Sequence, residues 1–195
     1  MAEPVRYVGT EQVDTERHDG GLRPALGVCS YQVLRANRGN PQQAEGWGWT
    51  YNHAPMLAWW GGRYWLEYLS NAYGEHLAPG HTLLSHSVDG AHWAQPQVIF
   101  PAYSVPNGVY RSPHGGRLAD GTQAVMHQRM GFYVAPNGRL LALGFYGVCA
   151  HPFDGPNDGT GIGRVVREVY APDRWGPIYF IRFNRQAGWH EHNTR

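Results

Sequence analysis

The chain has 195 residues, of which 26 are Gly, 14 are Pro and 13% are aromatic, a mixture that predicts many short strands joined by tight turns and excludes a disordered chain. The formal net charge is +1 and the 16 cationic residues, all Arg, are scattered, so no basic stripe indicates a nucleic-acid or membrane partner. Two cysteines exclude a disulfide framework, and neither a signal-peptide core nor an apolar run of spanning length is visible, which leaves localisation open.

Four short β-type segments follow one another in the first half of the chain. They cover residues 54–60, 63–69, 82–87 and 97–100. Gly61 and Gly62 suit the positive φ angles of a hairpin turn between the first two segments. Together the four predict an antiparallel meander over residues 54–100. Its aromatic residues are interpreted mainly as packing between sheets; they are Trp59, Trp60, Tyr64 and Trp65.

A second series of β-type segments has the same order. It covers residues 131–135, 139–146, 164–170 and 178–183, and predicts a second meander over residues 130–184. Repeated four-stranded meanders are typical of a β-propeller. We therefore expect an all-β fold, a partial β-propeller of two to three four-stranded antiparallel blades in a single domain over residues 1–195. Residues 1–53, including 28–34, would supply a partial blade and loops.

Length limits this propeller, because propellers close with typically four to eight blades. The predicted meanders account for only two or three. We expect the ring to be completed by the rest of a longer protein or by self-association with another copy.

One turn carries a recognisable motif. Ser87-Val-Asp-Gly-Ala-His-Trp93 resembles the Asp-box of sialidase-like propellers, Ser-x-Asp-x-Gly-x-Thr-Trp, although it is one residue shorter and has His92 where Thr is usual. In such a turn the Asp side chain bonds backbone amides while the Trp packs between strands, so the motif is structural. His86 and His92 are expected to be exposed turn residues.

Further segments resemble two families of carbohydrate-active propellers, the ulvan lyases and the enzymes that release rhamnose from rhamnosyl-glucuronate ends. The similar segments are residues 51–55, 66–71, 74–76, 163–168 and 176–182. In these families His and Tyr move protons and Arg holds the uronate. The resemblance implies that His53, His76 and Tyr110 are catalytic. It also implies that Arg129, Arg164 and His127 bind substrate, and that Glu75 could orient His76.

These assignments have structural alternatives. His53, placed just before the first strand, could be a loop histidine bonded to backbone. Tyr110 could pack at a turn, and Arg129, placed just before the second meander, could form a surface ion pair.

The residue types support a reaction on an oligo- or polysaccharide without a metal or other cofactor. Eliminative cleavage of a uronate needs a base, a proton donor and a cation that neutralises the carboxylate, and His, Tyr and Arg meet those needs. No HExxH, paired CxxC or two-His-one-carboxylate spacing occurs. The leading interpretation is β-elimination of rhamnose- and uronate-containing glycans.

Two other functions stay open. In a glycoside hydrolase on the same scaffold His53 would assist the attack of water, or Glu67 and Asp154 would act as a pair of carboxylates. The Tyr/Glu pair and arginine triad of a retaining sialidase cannot be assembled from the sequence. In a non-catalytic glycan-binding propeller, exposed Trp and Tyr side chains would stack on sugars.

Overall fold

The structure is a computed structural model that describes residues 30–40, 47–105, 118–148 and 161–183, with a few positions before residue 30. The chain divides into two compact units, Met1–Tyr31 and Gln32–Arg195. In the first unit, Asp14 Oδ1 accepts a hydrogen bond from the Glu16 amide at 3.0 Å. The second unit contains all the strands given below. The prediction of one domain over residues 1–195 stays a prediction.

The part of the second unit that the structure describes contains strands and no helix, which confirms the all-β fold. The strands are β1 (Tyr51–Trp60), β2 (Arg63–Asn71), β3 (Gly80–Ser87), β4 (Gln97–Phe100), β5 (Tyr103–Ser104), β6 (Gln123–Val134), β7 (Leu140–Val148), β8 (Gly161–Ala171), β9 (Arg174–Trp175) and β10 (Tyr179–Phe183).

The first sheet is an antiparallel meander in the order β1-β2-β3-β4, as predicted. Gly61 and Gly62 have φ angles of 60° and 77°, which glycine adopts without the steric cost that a Cβ would bring. The packing prediction for the aromatic residues holds for Trp65, which is 1% exposed. Trp59 also contacts Tyr64, with ring centroids 4.7 Å apart, but is 55% exposed.

The second sheet has the order β10-β8-β7-β6-β5, with β9 paired to β8. Each of the four predicted segments overlaps one of the strands β6, β7, β8 and β10. The sheet has six strands rather than four because the two-residue strands β5 and β9 join it. Residues 30–34 form no strand, and the partial blade expected from residues 1–53 stays a prediction.

The two sheets share one apolar core. Trp65 and Leu69 enter it from β2, whereas Met126, Tyr146 and Val165 enter it from the second sheet. Alternation along each strand places these side chains on the facing surfaces. Burial of both inner faces therefore fixes the sheets against each other.

The sheets are aligned so that β1 and β6 run in the same direction. At the end where they finish, the Trp60 indole Nε1 donates a hydrogen bond to the Gly138 carbonyl at 2.7 Å. At the end where they begin, a Cβ placed on Gly80 would lie 3.3 Å from Val125 Cβ. We call the end near Tyr51, Gly80 and Val125 the proximal end, and the end near Trp60 and Gly138 the distal end.

The Asp-box forms the β3–β4 turn. Asp89 Oδ1 accepts hydrogen bonds from the Ala91 and His92 amides at 2.9 and 2.8 Å, and the hydrogen bonds from His92 and Ala91 hold the pKa of Asp89 well below its usual range. Trp93 Nε1 donates to the Gly90 carbonyl at 3.0 Å. The motif is the structural fastener that the sequence predicts.

The histidines beside this turn differ from each other. His92 is exposed, as expected, and pairs with Asp89 at 2.8 Å. The prediction that His86 is exposed is wrong. Its ring is half-buried and lies 5.5 Å from that of Trp65, because residue 86 still belongs to β3.

Candidate functional site

Four side chains gather at the proximal end of the first sheet. The Tyr51 hydroxyl donates a hydrogen bond to Glu75 Oε2 at 2.9 Å. The same carboxylate oxygen lies 3.7 Å from His76 Nε2. The Tyr51 and His53 ring centroids are 5.9 Å apart. We call Tyr51, His53, Glu75 and His76 the proximal cluster.

Strand β1 and the β2–β3 loop each supply half of this cluster. Tyr51 and His53 are two residues apart on β1 and therefore lie on the same face. Glu75 and His76 lie in the loop between Asn71 and Gly80. Asn71 Nδ2 holds this loop by donating a hydrogen bond to the Leu77 carbonyl at 2.7 Å.

Arg38 also holds the loop from outside the sheet. Its Nη2 donates to the Tyr73 carbonyl at 2.6 Å, and its Nε donates to Thr50 Oγ1 at 3.2 Å. The guanidinium therefore joins the residue before β1 to the loop that carries Glu75. It also places a cation at the edge of the proximal end.

A β-bulge follows His53. His53 is opposite Leu69 and Met56 is opposite Glu67, so β1 spans three positions where β2 spans two. Ala54, inside the bulge, has a φ of 51°, a conformation that is uncommon for a residue with a Cβ. Bulges and strained residues of this kind occur often beside functional sites because they redirect a side chain.

The electrostatics of the cluster keep Tyr51 protonated. Burial, the hydrogen bond to Glu75 and the negative charge of Glu75 raise the pKa of Tyr51 to about 12. The phenol therefore remains a donor at neutral pH, with a carboxylate positioned to receive its proton.

An apolar cleft of about 450 Å³ opens beside His53. We define it by Val33, Leu34, Pro55, Leu66 and Tyr68, which line it together with His53. Tyr68 is 5% exposed, burial raises its pKa, and its hydroxyl has no hydrogen-bond partner among the described residues. The cleft thus combines apolar walls with a buried hydroxyl group.

The hydrogen bond between Tyr51 and Glu75 links the predicted residues His53 and His76, since His53 lies beside Tyr51 and His76 beside Glu75. His53 lies inside β1 instead of before it, because β1 begins at Tyr51. Glu75 is close enough to His76 to orient it electrostatically, at 3.7 Å. Their catalytic roles stay predictions.

The second sheet carries three of the other predicted residues. His127 and Arg129 lie within β6 and not before it, because this strand begins at Gln123, and their side chains lie outside the described part. Arg164 is exposed near the start of β8. In the backbone register, His127 and Arg164 are both paired with Phe145. Tyr110 lies outside the described residues.

Glu67 cannot act in the alternative hydrolase, in which it would pair with Asp154 as one of two catalytic carboxylates. Glu67 is fully buried between the sheets, where its Oε1 accepts a hydrogen bond from the Gly131 amide at 2.6 Å. A substrate cannot reach this carboxyl group. Asp154, the other member, lies outside the described residues.

Sequence reasoning missed Tyr51, Arg38 and the segment 32–36 that borders the apolar cleft. The i, i+2 spacing of Tyr51 and His53 could have indicated a shared face, once the strand was extended backwards. Arg38 and residues 32–36 lie in irregular structure, so no periodic pattern could place them.

Metal sites and membrane-spanning helices are absent from the described residues. Among them, no three His, Cys, Asp or Glu side chains are close enough to hold a metal ion. Within the same ranges, no helix has the length and apolar character needed to cross a membrane.

Comparisons with known proteins agree with this architecture. The family described as "Beta-prop_BT_1020:-like, N-terminal beta propeller" matches residues 3–195. A solved structure titled "Sialidase" is 46% identical, with a TM-score of 0.80 over 99% of this chain. The chain spans only 18% of the length of that protein. A search of curated proteins found no match.

The paired meanders and the Asp-box turn define a sialidase-like β-propeller. Within that class, the chain belongs to the N-terminal β-propeller family that matches residues 3–195. The resemblance to ulvan lyases and rhamnosyl-glucuronate enzymes is not among these matches.

Proposed function

We propose that this propeller contributes a glycan-cleaving site and that the reaction is glycoside hydrolysis. The observation that carries the proposal is the Tyr51 hydroxyl bonded to Glu75 Oε2 at 2.9 Å, beside the His53 ring. Sialidases are glycosidases that use a Tyr nucleophile. The similarity to a structure titled "Sialidase" supports the same class of reaction here.

The cluster suggests a two-step mechanism. Glu75 accepts the phenolic proton as Tyr51 Oη bonds to the anomeric carbon, while protonated His53 gives a proton to the departing glycosidic oxygen. Neutral His53 then removes a proton from water, which attacks the anomeric carbon as the bond to Tyr51 breaks. Glu75 returns the proton to the phenolate, so the protein regains its starting state.

The apolar cleft supports a substrate with an apolar substituent. Its walls at Val33, Leu34, Pro55 and Leu66 suit the methyl group of a 6-deoxy sugar such as rhamnose. The exposed guanidinium of Arg164 is proposed to bind a uronate carboxylate, for which Arg is well suited. A rhamnose- and uronate-containing oligosaccharide is therefore the proposed partner.

β-Elimination is the second candidate. The nearby rings of His53 and Tyr51 favour it, because His and Tyr can serve as base and proton donor. Glu75 opposes it, because a carboxylate at the centre of the cluster would repel the uronate carboxylate that elimination must neutralise. Hydrolysis has no such conflict.

A product assay separates the candidate functions. The 195-residue chain is incubated with rhamnosyl-glucuronate and ulvan-type oligosaccharides and with sialyl-oligosaccharides. Released sugar and absorbance in the unsaturated-uronate band are followed together. Hydrolysis releases sugar without absorbance, whereas elimination produces both. Binding without either product would indicate a glycan-binding module and would contradict both enzymatic proposals.

Variants then test the site. We expect Tyr51→Phe to lower kcat by at least about 100-fold, the lower range for a positioned proton-transfer or nucleophilic group. Tyr133→Phe is the matched control, because Tyr133 is 51% exposed near the distal end of β6. Equal activity of Tyr51→Phe and the unmodified chain would remove Tyr51 from the mechanism.

A further inference from the structure

A second cleft, of about 470 Å³, opens at the distal end. Its walls come from the end of β1, the β6–β7 turn and the β8–β9 region. The side chains used below are Trp60, Asn137, Arg139, Glu168, Tyr170 and Arg174. We call it the distal cleft. The length of β1 separates it from the proximal cluster, so it cannot belong to the same site.

Two aromatic side chains line the distal cleft, and one of them is held by a hydrogen bond. The Trp60 ring is fixed by its Nε1 hydrogen bond to the Gly138 carbonyl at 2.7 Å. Tyr170 is 43% exposed, and the Arg174 guanidinium lies 5.8 Å from its ring centroid. A sugar ring can pack on aromatic faces, and the restraint on Trp60 lowers the entropy that binding would cost there.

The charges of the distal cleft are distributed unequally. Arg139 donates to Glu168 Oε1 through Nε at 2.7 Å and to Oε2 through Nη2, so these two residues neutralise each other. Arg174 is exposed and stacks on an aromatic ring, which leaves its N–H groups directed to solvent or a ligand. The cleft therefore has an excess positive charge beside aromatic surface and the Asn137 amide.

We propose that the distal cleft is a non-catalytic binding site for an acidic saccharide. A sugar ring packs on Trp60, its carboxylate pairs with Arg174, and a hydroxyl group hydrogen-bonds to Asn137. Glu168, the carboxylate of the cleft, is engaged by Arg139, and no His lines the cleft. The site therefore holds a glycan and does not cleave it. This proposal does not rest on the proximal site being catalytic.

The test is an NMR titration of the 195-residue chain that follows the indole N–H resonance of Trp60. This resonance is assigned as the one that is lost in Trp60→Phe. All titrations use chains that also carry His53→Ala, which prevents cleavage of the probe. The probes are a rhamnosyl-glucuronate tetrasaccharide and the same tetrasaccharide with its carboxyl groups reduced to alcohols. We expect a saturable shift with the acidic probe and about 10-fold weaker binding of the reduced probe, equivalent to one charge-assisted hydrogen bond.

Arg174→Gln is expected to weaken binding of the acidic probe about 10-fold and to leave binding of the reduced probe unchanged. Arg63→Gln is the matched control, because Arg63 stacks over Trp65 and does not line the cleft. An unshifted Trp60 resonance, equal affinity for both probes, or an equal effect of Arg63→Gln would overturn the proposal. If the unmodified chain cleaves no glycan and the Trp60 resonance still shifts, the result supports this proposal and contradicts only the proposed hydrolysis.

Discussion

Glu67 is a buried carboxyl group between two sheets. It is fully buried, and its Oε1 accepts the Gly131 amide hydrogen. Burial raises the pKa of Glu67 well above its usual range, and the hydrogen bond from Gly131 opposes this only in part. The folded chain therefore keeps a proton that the unfolded chain releases above pH ~4.3. The stability that this group contributes to the fold is present below the pKa of the unfolded chain and falls as pH rises toward the pKa of the folded chain.

Glu67→Gln should remove this pH dependence, because the amide keeps an acceptor for Gly131 and does not ionise. As pH rises above ~4.3, the unfolding free energy of the unmodified chain should fall relative to that of the variant. Urea unfolding at each pH measures the difference. Parallel pH profiles for the two chains would show that Glu67 has an ordinary pKa in the folded state.

Gly80, the first residue of β3, leaves room for the Asn71 side chain that holds the β2–β3 loop. A Cβ on Gly80 would lie 2.8 Å from Asn71 Nδ2 and 3.3 Å from the Met126 carbonyl oxygen. Asn71 Nδ2 in turn holds the loop that carries Glu75 and His76. Close packing at Gly80 and the position of the proximal cluster therefore depend on each other.

We expect Gly80→Ala to lower the unfolding free energy by about 1–3 kcal/mol, the usual cost of overpacking. Glycan cleavage should fall as well, because the loop moves with Asn71. Gly131→Ala is the control, since a Cβ there meets nothing within 4 Å and the backbone amide remains. Urea unfolding and the product assay measure both effects. Similar results for the two variants would contradict the close-packing argument.

The elements differed in how well the sequence predicted them. The Gly61-Gly62 hairpin and the Asp-box turn depend on residues adjacent in sequence, so local chemistry was sufficient. Strands β5 and β9 are two residues long and have no periodicity to detect. The Tyr51–Glu75 contact joins residues 24 positions apart and depends on the path of a loop, which alternation along a strand does not specify.

At the scale of the whole unit, the shared core joins the two sheets into one folding unit. Leu69 is fully buried in this core, and Trp60 and Gly138 add a hydrogen bond across the sheets. Neither sheet covers its inner face alone, so we expect the two to unfold together. Completion of the ring by self-association remains a separate prediction.

Leu69→Ala is expected to lower the unfolding free energy by about 2–5 kcal/mol, as for other large-to-small changes in a core. Tryptophan fluorescence and far-UV circular dichroism should give the same midpoint. Leu57→Ala is the control, because Leu57 lies in β1 and is 60% exposed; we expect it to have little effect. Separate midpoints for the two probes would show that the sheets unfold independently.

The additional residue at the Ala54 bulge separates the orientation of His53 from the packing of the rest of β1. On the distal side of the bulge, Ala58 is opposite Trp65 and packs against the core. Removal of one residue at the bulge would keep His53 opposite Leu69 and on the same surface, but it would straighten the strand beside the imidazole while the aromatic half of the hairpin stayed in place. A change of length at this one position can therefore alter the surface that carries His53 without altering the core residues of β1.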